Sequence, residues 1–235
     1  MTEKIRILVL SSNPWNTGRI LVAEEAREIS DRIQEGPYRD KFEVHNHTAV
    51  RPKDLQRLLL TYEPQIVHFS GHGSKGHKIL LNGTDVRARA LDHQGLKDVF
   101  AFYNKHVRLV LLNACFTRTQ ARLISHVVDY SIGTARPIGD KVSVAFAGAF
   151  YRALAFGKSI AEAFKSAKLE LALTRMARSR GIELFVRNKV DKRHRFPQIE
   201  NARQLQSLSS TRVKASTIVE VTTIKTIRQT ILVQG

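Results

Sequence analysis

Cysteine occurs once in the 235 residues, at position 115, so no disulfide can form within the chain and any thiol chemistry falls to a single sulfur atom. A lone cysteine fits a reducing compartment. Long apolar runs are absent too. No stretch reaches the roughly 18 uncharged apolar residues that a membrane-spanning helix requires, and the apolar part of the opening MTEKIRILVLSSNP is too short for a secretory signal. The expectation is a cytoplasmic protein without a membrane span. Proline and glycine are sparse, at 6 and 13 copies, which excludes collagen-like and low-complexity chains. Acidic side chains are the minority charge, 21 against 38 basic, for a formal net charge of +17. With 43% hydrophobic residues the chain has the material for one core of ordinary size and a small appendage.

The positive excess is unevenly placed. Residues 1–140 hold 20 basic and 15 acidic side chains, whereas 141–200 hold 13 and 5. The densest stretch, 175–195, sets eight basic residues against Glu183 and Asp191, with Phe185 and Phe196 as its nearby aromatics. Such a run is either a solvated face or a surface for an anionic partner. No RNP or zinc-finger signature accompanies it, which makes nucleic acid the minority reading.

Short apolar runs at 5–10, 42–50, 65–70, 107–115 and 130–134 alternate with helix-period segments, the pattern of an α/β protein with a mostly parallel sheet. Val22, Ala26, Ile29 and Ile33 recur at helical spacing, and Gly36-Pro37 closes that helix. Residues 54–60 and 92–104 predict two more helices, while 78–82 and 86–91, joined by Gly83-Thr84-Asp85, predict a small hairpin. Thr117 and Gln120 have the spacing of a capping box, which starts a helix within two residues of Cys115. Residues 142–156 are apolar on most faces and predict a helix packed inside the layers. Ser159 and Glu162 repeat the capping-box pattern for a helix with Ile160, Phe164, Ala167 and Leu171 on one side, ending near Gly181. Beyond residue 190 the character changes. Residues 191–206 are charged and aperiodic, 207–211 read as a linker, and the Thr-, Ile- and Val-rich 216–233 predict one or two strands. The chain thus divides into a domain at 1–190 and a basic linker with a β-rich segment at 191–235.

Two apolar strands end in reactive residues. One runs Ile66-Val67-His68-Phe69-Ser70-Gly71-His72-Gly73, and another runs Leu109-Val110-Leu111-Leu112-Asn113-Ala114-Cys115. In open parallel α/β sheets the site lies beyond the carboxyl ends of the strands, where His72 and Cys115 both fall. A thiol beside an imidazole is the minimal unit of cysteine nucleophilic catalysis, because the thiolate attacks and the imidazole takes its proton. The helix after Cys115 would aim its positive end at that thiolate. Gly71 and Gly73 allow a sharp turn, so that the Gly73 N–H, with that of Cys115, can form an oxyanion hole. The same residues also fit a plainer reading, with Cys115 as a small core hydrophobe and GHG as a structural turn.

The segments ILVLSSNP at 7–14, IVHFSGHG at 66–73, VLLNACFT at 110–117, VDYSIG at 128–133 and VAFAGAFYRAL at 144–154, followed by Gly157-Lys158-Ser159, resemble in their order a CHAT domain. That family is the bacterial branch of the caspase, metacaspase and separase cysteine peptidases. The resemblance covers about residues 4–175. It implies a caspase-like three-layer α/β sandwich with a mostly parallel central sheet and endopeptidase activity on a protein substrate, without metal or organic cofactor. His72 would be the general acid and base, Cys115 the nucleophile, and the Gly73 N–H part of the oxyanion hole. By the same resemblance Asn113, two residues before the nucleophile, lines the primary specificity pocket. Asp140 matches the place of a pocket acid in separases and would select arginine or lysine, or else caps the helix beginning at Lys141.

His68, inside the apolar strand, reads as a hydrogen-bonded core histidine. The histidines at 45, 47, 68, 72 and 77 come with no HExxH, CxxC or spaced carboxylates, so no metal site is expected. Asn13-Pro14-Trp15-Asn16 either turns the chain or lines the cleft through Trp15. A protease of this kind needs restraint. The expected partner is a regulatory protein in a bacterial defence or conflict system, or a second copy, engaged through 207–235. The competing expectation is a non-catalytic module that binds protein or nucleic acid through the basic 175–195 face and the tail.

Overall fold

The alternation of short apolar runs with amphipathic segments produces one six-stranded sheet with helices on both faces. The computed structural model describes residues 4–18, 20–84, 87–176, 181–188, 190, 196 and 199. Strands β1 (Ile5–Ser12), β2 (Phe42–His47), β3 (Ile66–Gly71), β6 (Leu109–Asn113), β7 (Tyr130–Thr134) and β8 (Ile182–Val186) lie in the order β2-β1-β3-β6-β7-β8. All neighbours are parallel except β7 and β8, which run antiparallel. A two-stranded ribbon of β4 (Leu80–Asn82) and β5 (Ala88–Ala90) follows β3. The chain divides between Phe196 and Pro197, and the account below concerns the first unit. The linker expected at 207–211 and the strands expected at 216–233 lie outside the described residues.

Because successive side chains of a strand point to opposite faces, each strand serves both layers. Leu8 and Leu10 of β1, Val67 and Phe69 of β3, and Val110 and Leu112 of β6 form one cluster with Leu55, Leu58 and Leu59 of α2 (Pro52–Tyr62), Leu96 and Phe100 of α3 (His93–Phe102), and Ala121 and Ile124 of α4 (Arg118–Ile124). The opposite face receives α1 (Val22–Gln34) and α5 (Asp140–Ala155), with α6 (Ile160–Leu173) packed on α5. Helix α5 is buried over most of its circumference, and at Gly148 a Cβ would come within 2.8 Å of the Glu28 side chain of α1. That approach holds the two helices whose N-termini flank the cleft.

Helix boundaries follow capping chemistry. Asp92 caps α3 by accepting from the N–H groups of Gln94 and Gly95, and Ser159 and Glu162 close the expected capping box of α6. Helix α6 ends earlier than expected, at Leu173 rather than near Gly181. The Thr117–Gln120 box does not form. The Thr117 hydroxyl turns back to the carbonyls of Leu112 and Ala114, and Gln120 reaches the ribbon, accepting from Ile79 N and donating to Leu91 O. Strand β8 was not foreseen: it lies inside the stretch read only as a basic run. Its edge is tied down by Arg118 to Glu183 at 2.9 Å and by Arg187 to Asp129 at 2.5 Å.

Candidate active site

The carboxyl ends of β3 and β6 place His72 and Cys115 in the same cleft, between the N-termini of α1 and α5. Three interactions shape the rim of the cleft, and the third joins the loop after β3 to the loop after β6. The carbonyl of His72 accepts from Leu80 N at 2.9 Å, Gly73 bridges to Ile79, and His77 meets Phe116 through its Nδ1 and an edge-on ring contact. A Cβ on Gly73 would lie only 1.6 Å from the Cys115 carbonyl oxygen, so the loops are pressed closer than any other residue allows. On the far side of the cysteine, Thr117 and Thr134 both donate to the Ala114 carbonyl, while Thr134 N–H donates to Thr117 Oγ1. Phe116 takes a left-handed conformation, φ 60°, which is uncommon for a bulky side chain and turns the chain sharply from β6 into α4.

His72 is half-buried and its ring is oriented by the loop after β1. Its Nε2 lies 2.7 Å from the Gly18 carbonyl and 3.3 Å from Asn13 Oδ1. A carbonyl can only accept, so Nε2 carries a proton, and in the neutral ring Nδ1 is the nitrogen with the lone pair. Cys115 is half-buried and its Sγ donates to the Ile138 carbonyl at 3.8 Å. Among the described residues no hydrogen bond joins the thiol to the imidazole, a looseness common in cysteine–histidine sites without substrate. The segment after β1 does turn the chain, through Thr17 N–H to the Pro14 carbonyl. Trp15 stays 67% exposed, and it is Asn13 and Gly18 that reach His72.

Asn113 and Asp140 both line the cleft. The Asn113 amide is committed: Nδ2 donates to Glu25 and to the Ser143 carbonyl at 3.2 Å. Asp140 is the first residue of α5, with Gly139 at the cap, and its carboxylate makes no hydrogen bond or ion pair among the described residues. His68 is a core histidine, 0% exposed, held by Tyr151 Oη at 3.1 Å and Glu25 Oε1 at 2.8 Å. Burial, then the nearby Glu25 charge, push the Tyr151 phenol well above its usual pKa, so it remains a hydroxyl. Glu25 is the residue that the sequence reading missed. It lies three residues after Val22 and four before Ile29, on the buried stripe of α1, and a charged side chain on such a stripe was the available signal.

A model of the family described as CHAT domain matches residues 15–206. The chain belongs to the CHAT domain family. A Roc-COR-CHAT protease from an unknown prokaryotic organism is 27% identical over 169 residues, which cover 69% of this chain and 16% of the relative. A probable protease from Gillisia limnaea is 23% identical over 150 residues, 63% of this chain and 26% of that protein. This CHAT domain chain therefore spans about a sixth to a quarter of the length of these relatives. Among solved structures, a secreted cysteine protease from Bacteroides thetaiotaomicron bound to an irreversible peptide inhibitor matches with a TM-score of 0.53 at 12% identity, over 78% of this chain and 66% of that one. The arginine-specific cysteine proteinase gingipain R matches with a TM-score of 0.54 at 10% identity, over 77% and 46%. At these identities the likeness is one of fold, the caspase-like α/β architecture expected from the sequence. No helix among the described residues is long and apolar enough to cross a membrane.

Proposed function

We propose that this CHAT domain is a caspase-like cysteine endopeptidase that cleaves a protein substrate through an acyl-enzyme on Cys115. His72 Nδ1 takes the proton from the Cys115 thiol, and the sulfur attacks the scissile carbonyl carbon, forming a C–S bond. The resulting oxyanion is held by the N–H groups of Gly73 and Cys115. Collapse breaks the C–N bond while His72 returns the proton to the leaving amine. Water, deprotonated by the same imidazole, then cleaves the thioester and restores the thiol. The side chain preceding the scissile bond enters the pocket bordered by Asn113 and Asp140.

The observation that carries this reading is the approach of Gly73 to Cys115, closer than any side chain at position 73 permits. A structural turn needs no such contact with a cysteine 42 positions further along the chain, whereas an oxyanion hole shared by the two residues requires them to be close. Control by a partner protein in a bacterial defence or conflict system is part of the proposal. Its support is that the matched relatives extend far beyond the region shared with this chain.

The test is cleavage of a diverse peptide library by the wild type, Cys115→Ala and His72→Ala. Both variants should lose about 10³-fold or more in kcat/KM. If no peptide is cut and Cys115 is also inert to a thiol-directed electrophile, the peptidase reading fails. The non-catalytic module using the basic 175–195 face then takes its place.

A further inference from the structure

The β4–β5 ribbon is fastened to the helix that follows the nucleophile by a buried amide that the peptidase mechanism does not use. Ile79, buried just before β4, lies in the middle of a three-part arrangement. One of its edges carries the loop after β3. Leu80 N–H donates to the His72 carbonyl at 2.9 Å, Ser74 N–H donates to the Lys78 carbonyl at 2.8 Å, and Gly73 is bridged to Ile79 between these two bonds. In such a pair the N–H and C=O of Gly73 itself face away from the ribbon, so its N–H is not consumed there. The other edge of Ile79 faces Leu91, where a regular ladder would make two bonds. One is present, from Leu91 N–H to the Ile79 carbonyl at 2.9 Å. In place of the second stands the side chain of Gln120, 1% exposed, whose Oε1 accepts from Ile79 N–H at 2.8 Å while its Nε2 donates to the Leu91 carbonyl at 3.0 Å. The amide behaves as a peptide group inserted into the ladder.

Gln120 sits in the first turn of α4, and the Thr117 and Thr134 hydroxyls that grip the Ala114 carbonyl make Cys115 and the start of that helix one unit. Gly73 belongs to the other unit, with Ile79. Contact with the Cys115 carbonyl stops the two from coming closer, but contact alone does not stop them from moving apart. We propose that Gln120 is the positioning residue of the oxyanion hole: by holding Ile79 to α4 it keeps the Gly73 N–H, on the far edge of the same segment, at a fixed distance from that of Cys115. Gln120 acts through Ile79 and needs no contact with substrate. The inference rests on the peptidase reading of this site. The residue type fits the task, since Ile79 offers a donor and Leu91 an acceptor, and only a side chain with one of each satisfies both. A second link, from His77 Nδ1 to the Phe116 carbonyl at 3.2 Å, is open to water, whereas the Gln120 bonds are buried and so electrostatically stronger.

Two variants of the full chain test the assignment, with kcat and KM measured on a peptide that the wild type cuts and normalised to the thiol titrated by iodoacetamide. Alkylation needs the thiolate and no oxyanion hole. Gln120→Leu lets Ile79 and Leu91 close their ladder without α4. It should lose about 10²–10³-fold in kcat, the range for one misplaced oxyanion donor, with KM and the alkylation rate within about twofold of the wild type. Gln120→Glu keeps the shape. Its protonated carboxyl replaces both bonds, whereas the carboxylate has no donor for the Leu91 carbonyl. The ratio of its kcat to that of the wild type should therefore be near one in acid and fall as the pH rises through the titration of that carboxyl. The assignment is overturned if Gln120→Leu keeps its kcat, if its loss lies in KM or follows the alkylation rate, or if the Gln120→Glu ratio is flat with pH. Should Gln120→Leu fail to fold, the pH dependence of Gln120→Glu decides. If the wild type cuts no peptide, the assignment falls for want of an oxyanion to hold, and the reactivity of Cys115 then decides the peptidase reading. Cleavage that depends on Cys115 and ignores both variants removes the assignment of Gln120 alone.

Discussion

Strand β3 belongs to two different environments at once. Val67 and Phe69 point into a dry cluster under α2, α3 and α4, where Phe69 meets Phe100 edge-on at 6.4 Å. His68 and Ser70, the residues between and after them, point to the other face and hold Glu25 of α1. The register carries the division across the sheet: Val67 pairs with Val110 and Phe69 with Leu112, while Ser70 pairs with Asn113. One face gains its stability from removing apolar surface from water. The other buries a carboxylate, an imidazole, an amide and two hydroxyls, which is a poor way to stabilise a domain and a good way to fix the positions of polar side chains beside a cleft. The period of two along a strand lets a single element supply both without compromise between them.

The sharpest way to break the comparison is Phe69→Ala on the dry face. Truncating a buried phenylalanine costs about 3–5 kcal/mol, and a domain of this length loses about 2–4 °C in Tm per kcal/mol. A large fall in Tm is therefore expected in a thermal melt. The kcat/KM of the protein that remains folded should change little. A large fall in the kcat/KM of the folded protein would mean that the two faces are coupled, against the division argued above.

Next in size is Gly73→Ala, at the rim where the faces meet. The new methyl would have to displace the Cys115 carbonyl, which a Cβ would approach to 1.6 Å. Moving one donor of the oxyanion hole costs about 10²–10³ in kcat. The expected signature in steady-state kinetics is a loss in kcat with KM little altered, since the specificity pocket is left in place. A fall confined to KM would place Gly73 in ground-state binding instead.

The legibility of the two faces in the sequence differed as well. On the dry face, apolar runs and helical spacing were enough: β7 matches its expected range of 130–134, and α1 and α5 lie where their periodicity put them. The polar face was partly hidden. Glu25 shares the apolar stripe of Val22 and Ile29, but a reading by hydrophobicity selects Ala26 in its place. Its hydrogen-bond partners Ser70 and Asn113 are 45 and 88 residues away. The Gly18 carbonyl that orients His72 could not be read either, because a backbone atom leaves no signature in residue type. Thr117 shows local chemistry losing to tertiary contacts: the carbonyls at the end of β6 compete for its hydroxyl and win over the cap. Strand β8 was masked by its basic surroundings, and its place is set by pairing with β7 and not by its own alternation.

The smallest effect is the most discriminating. Tyr151→Phe removes one oxygen from the polar face and leaves the ring, which packs edge-on against Phe150, in place. Deleting the hydroxyl leaves the buried His68 Nδ1 without its hydrogen-bond partner, which costs about 1–3 kcal/mol, less than Phe69→Ala. His68 in turn holds Glu25, and Glu25 holds Asn113 at the cleft, so the loss reaches the site only through the placing of these side chains. A thermal melt should show a fall in Tm smaller than that of Phe69→Ala, with kcat/KM reduced far less than in Gly73→Ala. A Tm equal to that of the wild type would mean that the Tyr151 hydroxyl only fills space.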